Sequence, residues 1–120
     1  MAIDTGELYT QKMGEHSATS SSTDFLRDFL YALTRTLLDI GHRVGVSPTT
    51  MPSDIDDDPD IGDYYFGVLC DGIDFYLRKT GRWANKEADE VKRDYTQSLR
   101  DAHGYYLMNN DHESRIGEVD

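Results

Sequence analysis

The sequence predicts an all-α fold, a small three- to four-helix bundle with mobile arms at both ends. Three observations predict it. Three segments carry apolar residues at steps of three and four, Pro- or Gly-containing breaks separate them, and polar stretches without such a rhythm flank them. With 120 residues the chain is long enough for one modest domain with a single core and too short for two ordinary ones.

Residues 1 to 22 are polar and end in Ser17-Ala18-Thr19-Ser20-Ser21-Ser22, a composition that buries no core alone, so this segment reads as a flexible N-terminal arm. The first helix is expected over 23–42. Ser22 or Thr23 can cap it, and Asp24 and Asp28 suit the positive end of its dipole. Leu26, Leu30, Leu33, Leu37, Ile40 and Val44 then step by four and three as one seam, broadened by Phe25 and Phe29. Gly41, Gly45, Pro48 and Pro52 end it, leaving a loop over 45–60. Asp54, Asp56, Asp57, Asp58, Asp60 and Asp63 crowd into this region, with Asp58 and Pro59 placed as cap and first turn of the next helix.

The second helix is expected over 60–79. Tyr65, Val68 or Leu69, Gly72 or Ile73, and Tyr76 mark its buried face, and Gly81 stops it within the turn Lys79-Thr80-Gly81-Arg82-Trp83. A third helix over 85–108 shows Ala88, Val91, Tyr95, Leu99, Ala102 and Tyr106 at the same rhythm, with charged residues between them. From 109 to 120 the period is lost, and a flexible C-terminal tail is expected. The helical domain is therefore 23–108.

Charge and composition exclude several classes. Twelve basic against 23 acidic residues leave a net charge of −11, which opposes attraction to a nucleic-acid backbone and fits a basic partner or a surface that repels nucleic acid. The single Cys70 makes no internal disulfide. The first residues lack a charged start and an apolar run of signal length, and no segment approaches the roughly 18 apolar residues of a membrane span. A soluble protein made in a cytosol is expected, without membrane contact.

No catalytic, cofactor or metal set is expected. The aspartates of the loop fail the calcium-loop spacing: a register from Asp54 puts Pro59 at the turn glycine and Tyr65 at the bidentate glutamate, and one from Asp56 puts Ile61 and Gly67 there. A solvated loop with capping duty, or contact with a basic neighbour, explains the charge instead. His16, His42, His103 and His112 fall in four separate segments and read as surface residues. Nucleophile elbows and phosphate-cradling glycine loops are missing, so the chain is read as no enzyme.

The aromatic residues exceed what one face per helix can bury. Phe66 and Phe75 point away from the stripe from Tyr65 to Tyr76, so some rings either pack on the first helix and loop or meet a partner. The candidate interface residues are Asp56, Asp57, Asp58, Phe66, Phe75, Trp83 and Tyr105, with Trp83 at the turn tip the best single candidate.

A leucine-rich helix ending in Leu37-Leu38-Asp39-Ile40-Gly41-His42-Arg43-Val44-Gly45 is followed by an acidic Pro-containing loop. Asp63-Tyr64-Tyr65 then leads into Val68-Leu69-Cys70-Asp71-Gly72-Ile73-Asp74-Phe75-Tyr76-Leu77 and Gly81-Arg82-Trp83. Over residues 23 to 108 this order resembles tailed-bacteriophage head-to-tail adaptor or connector proteins. The resemblance is one of pattern rather than of a signature motif. It implies a virion protein made in the host cytoplasm, without catalytic residues, that forms a ring, usually twelve-fold, below the portal and joins capsid to tail. Portal and tail proteins would be its partners, and genome DNA would pass through without specific binding. An acidic channel wall would repel the phosphates of that DNA. The chain departs from the pattern in its long Asp-rich loop and few basic residues. The alternative is an acidic DNA mimic that inhibits a host nuclease, or another phage or plasmid anti-defence protein, although mimicry needs carboxylates spread along a face rather than concentrated in a loop.

Overall fold

A computed structural model describes residues 3–18, 23–81, 83 and 86–119, the last ten of them as helix backbone only. The fold is all-α. Four helices follow in order: α1 (Thr5–Glu15), α2 (Thr23–Arg43), α3 (Phe66–Thr80) and α4 (Ala88–Val119), with a single 3-10 turn at Asp63–Tyr65 leading into α3. Among the described residues there is no strand.

The period of the sequence located three of these helices: α2 matches the expected 23–42 to within a residue, whereas α3 begins six residues later than the expected 60 and α4 runs past the expected end at 108. α2 buries Phe25, Phe29, Ala32, Leu33, Leu37 and Ile40, with Val44 buried just past its end, while Leu26 and Leu30 are only half-buried. The expected leucine seam thus holds from Leu33 onward. At the start of the helix the buried face rotates toward the two phenylalanines, because α1 lies there: the Tyr9 ring meets Phe25 at 5.8 Å and Phe29 edge-on at 5.1 Å.

That helix corrects the expectation of a flexible N-terminal arm. Asp4 caps α1 by accepting the Glu7 amide at 3.0 Å, and Ile3, Leu8 and Tyr9 are buried in the common core. The sequence hides α1 because its burial rests on Thr5 and Lys12 as much as on apolar residues, which leaves too weak an apolar period to read. Residues 19–22, including the proposed cap Ser22, lie outside the described set. At the other end the helix backbone of α4 continues to Val119, where an irregular tail was expected.

α3 is the central element. Val68, Leu69, Gly72, Ile73, Asp74, Tyr76 and Leu77 are all buried, a band wide enough to face α2 and α4 together. The close approach passes through Gly72, where an added Cβ would lie 2.3 Å from Thr36 Cγ2 on α2 and 2.8 Å from Tyr95 Cε1 on α4. Gly81, at φ +81°, ends α3 in the left-handed conformation that glycine adopts without penalty. α3 starts later than expected, after Gly62 and the 3-10 turn, so Asp58 and Pro59 do not begin it. The Asp58 carboxylate instead accepts the first amide of α1, Thr5 N, at 2.9 Å, and Thr5 Oγ1 donates to the Asp57 carbonyl at 2.7 Å. The acidic loop is therefore tied to the helix that the sequence did not reveal.

α4 packs on α3 through Val91, Tyr95, Leu99 and Ala102, and its half-buried Tyr106 covers Gly45 at the end of α2. Gly45 has φ +112°, and a Cβ there would meet the Tyr106 ring at 2.7 Å. At 1.5 Å per residue the 32 residues of α4 span about 48 Å, against about 32 Å for the 21 residues of α2. Leu107, Met108 and Asn109 beyond this last contact are exposed.

Candidate functional site

Two features stand out: a buried ionic cluster between α1 and α3, and an exposed aromatic surface where α3 begins and α4 leaves the bundle. In the cluster, Lys12 Nζ donates to Asp74 Oδ1 at 2.9 Å and to Glu15 Oε1 at 3.0 Å. The same Asp74 oxygen lies 3.2 Å from His16 Nε2, and Lys86 Nζ approaches Asp74 Oδ2 at 4.0 Å. Lys12 and Asp74 are 1% and 4% exposed, so both charges are removed from water. A carboxylate only accepts, so His16 carries its proton on Nε2, and its buried Nδ1 has no partner.

Burial disfavours the charged form of each group, and the neighbours reverse that effect. Burial alone pushes the Asp74 carboxyl up, but the His16 hydrogen bond and the Lys12 charge hold it below the usual carboxylate range. Burial lowers Lys12, and the charge of Asp74 with the hydrogen bonds to Asp74 and Glu15 raises it above its ordinary value. The neighbouring Cys70 thiol is pushed up to about 11, chiefly by burial, and is held protonated at neutral pH. The cluster is an electrostatic clasp fixing α1 on α3. Glu15, His16 and Asp74 bring ligand atoms within 4.8 Å of one another, the one such trio among the described residues. The Lys12 ammonium, bonded to both carboxylates, already fills the place a cation would take.

A second polar node joins α2, α3 and α4. Tyr76 and Tyr95 both donate their hydroxyls to Asp39 Oδ2, the second at 2.8 Å. Burial, then the hydrogen bond to Asp39, raises Tyr76 to about 12 and raises Tyr95 further. These rings serve as core bolts with satisfied hydroxyls.

The sequence-selected candidates separate. Trp83 is folded back into the protein: its ring meets Phe25 edge-on at 4.9 Å, and its Nε1 donates to Asp28 at 2.7 Å. Phe75 is half-buried against Tyr76 and Tyr95, with Lys79 Nζ 4.8 Å above its ring. In the loop, Asp57 accepts the Ser53 amide and hydroxyl at 3.1 and 2.9 Å, Asp58 holds Thr5, and Asp56 faces solvent. Phe66 and Tyr105 remain at the surface, 36% and 38% exposed. Tyr105 stacks on Tyr64, centroids 3.6 Å apart and planes 12° from parallel, and meets Tyr65 edge-on.

Beside this stack lies a cleft of about 240 Å³ lined by Tyr64, Gly67, Val68, Ser98, Asp101 and Ala102. Gly67 in its lining has open space where a side chain would stand, so the cleft is accessible there. Leu107 and Met108, 50% and 76% exposed, follow on the departing α4. Sequence reasoning missed Lys12, His16 and Asp74, and it took His16 for a surface residue. Nothing local marks them: they lie 58 to 62 positions apart from their partner, and only the fold joins them. Comparison with protein-family models, with curated protein sequences and with solved structures finds no match to this chain. No helix among the described residues is long and apolar enough to cross a membrane.

Proposed function

We propose that this protein is a structural assembly subunit of the head-to-tail adaptor kind, a virion component that forms a ring below the portal and joins capsid to tail. The observation that supports it is a set of exposed apolar residues, Tyr64, Phe66, Tyr105, Leu107 and Met108, of which Tyr64 and Tyr105 are stacked on each other. A folded chain gains by burying residues of this kind, and aromatic residues and methionine are the types enriched where proteins meet. Its position also fits: Leu107 and Met108 follow Tyr106, the last described side chain of α4 that touches the bundle, and are exposed where a neighbour can reach them. The ionic clasp and the Asp39 node then serve to keep the bundle rigid while those residues dock.

Sedimentation over a wide concentration range tests the reading. The wild type is expected to form discrete higher-mass species, and Leu107→Glu with Met108→Glu is expected to sediment as a monomer with an unchanged circular dichroism spectrum and melting temperature. A wild type that stays monomeric throughout and inhibits a nuclease in a competition assay against duplex DNA overturns the assembly reading in favour of a DNA mimic.

A further inference from the structure

In a chain of net charge −11, three cations gather on one face. Lys92, Arg93 and Arg100 are exposed on the outer side of α4, opposite the buried Val91, Tyr95, Leu99 and Ala102. Their spacing of seven and eight residues stacks Arg100 two turns from the other two. With Asp89, Thr96 and Gln97 they line a surface cleft of about 320 Å³. None of the three forms an ion pair within 4.0 Å among the described residues. Asp89 is the single acid in the lining, so the face is left cationic.

The acidic loop has the opposite imbalance. Asp54, Asp56 and Asp63 are exposed, and among the described residues the Asp54 carboxylate accepts only the neighbouring Ile55 amide, at 2.7 Å. Asp57 and Asp60 accept from Ser53 and Thr49, which are neutral. Those hydrogen bonds hold both carboxyls below their ordinary range, so they stay ionised, yet no cation among the described residues pairs with them within 4.0 Å. Among the described residues, one molecule thus carries a cleft with three cations to one acid, none of them ion-paired, and an acidic loop without a paired base.

We infer that the outer face of α4 is a docking surface for the acidic loop and following turn, residues 53–63, of a second copy of this chain. The inference rests on the assembly reading and names two surfaces for it. The contact is heterologous: each copy offers its α4 face to one neighbour and its loop to the other, so the arrangement closes into a ring or extends as a filament. Like net charges repel at long range, and this repulsion is screened beyond about 8 Å at physiological ionic strength, while the opposed local charges meet inside that distance. A nucleic-acid backbone would also be attracted to the three cations, but it would have to approach against the remaining charge of the molecule.

Complementary charge reversal tests this. One variant carries K92E, R93E and R100E; the other carries D54K, D56K and D63K, which leaves the loop-holding Asp57, Asp58 and Asp60 in place. Each variant alone is expected to sediment as a monomer with the wild-type melting temperature. An equimolar mixture is expected to associate, because the acidic loop of the first meets the cationic face of the second, and the lysine loop of the second meets the glutamate face of the first. Wild-type association is expected to weaken at least about tenfold as salt approaches 1 M, where screening acts within about 3 Å.

A mixture that stays monomeric overturns the inference. Association that ignores salt and both reversals also overturns it, while leaving the apolar assembly reading standing. A wild type that is monomeric at low salt removes both. Binding of a labelled duplex oligonucleotide by the wild type, lost only in the α4 variant, overturns the inference in favour of a polyanion ligand.

Discussion

Replacing Asp74 by asparagine removes the one carboxylate that Lys12, His16 and Lys86 share. The ammonium of Lys12 would remain 1% exposed, with only the partly exposed Glu15 as counter-charge. Taking one partner from a buried ion pair costs about 3–5 kcal/mol, because the survivor stays desolvated and unpaired. Glu15 offsets part of this, which places Asp74→Asn near the lower limit, about 3 kcal/mol. For a domain of this size that lowers the melting temperature by more than about 10 °C.

The double replacement Lys12→Met with Asp74→Leu removes both charges and keeps apolar volume but takes the acceptor from buried His16, so it should cost about 1–2 kcal/mol, less than Asp74→Asn. Urea and thermal unfolding of the wild type, the single variants Lys12→Met and Asp74→Leu, and the double variant close a cycle whose coupling energy is the quantity sought. Amide exchange locates the effect: α1 should lose protection in Asp74→Asn before the other helices do. An Asp74→Asn protein within about 0.5 kcal/mol of the wild type would refute the clasp, as would loss of protection spread evenly over all four helices.

The same cluster sets a pH window. Asp74 is held below its ordinary 3.8, so its contribution is present above that value and is lost as pH falls through the folded-state value; Lys12 is held above 10.5, so its contribution is present below 10.5 and is lost as pH rises past it. Melting temperature against pH should fall at both ends in the wild type and fall less in the Lys12→Met, Asp74→Leu double variant. Gly72→Ala should destabilise by about 1–3 kcal/mol or more in urea unfolding, because its methyl would sit 2.3 Å from Thr36 and 2.8 Å from Tyr95. Adding Thr36→Ser, which removes the nearest methyl, should recover part of the loss. Asp39→Leu leaves two half-satisfied tyrosine hydroxyls and should cost about 2–4 kcal/mol, while ultraviolet titration should find the tyrosine raised to about 12 returning toward 10. Cys70, with a value near 11, is about one part in a thousand thiolate at pH 8, so iodoacetamide should label it far more slowly than an exposed thiol.

The sequence by itself determined the class of the fold and three of its helices. Periodicity is a local property, and Leu33, Leu37, Ile40, Tyr95 and Leu99 lie on buried faces because a helix with that spacing has only one direction in which to hide them. It also determined the acidic excess. Tertiary structure alone decided the rest. α1 has too few apolar positions to announce itself, since part of its anchorage is Lys12 on an aspartate 62 residues away. Trp83 reads as an exposed turn tip until Phe25 and Asp28 arrive beside it from α2. Asp57 and Asp58 look like free surface charge until Ser53 and the first turn of α1 supply their donors. In each case the deciding partner is a polar or aromatic group brought close by packing. A one-dimensional pattern records which side of a helix is apolar, but it does not record which charge or ring will lie across from it.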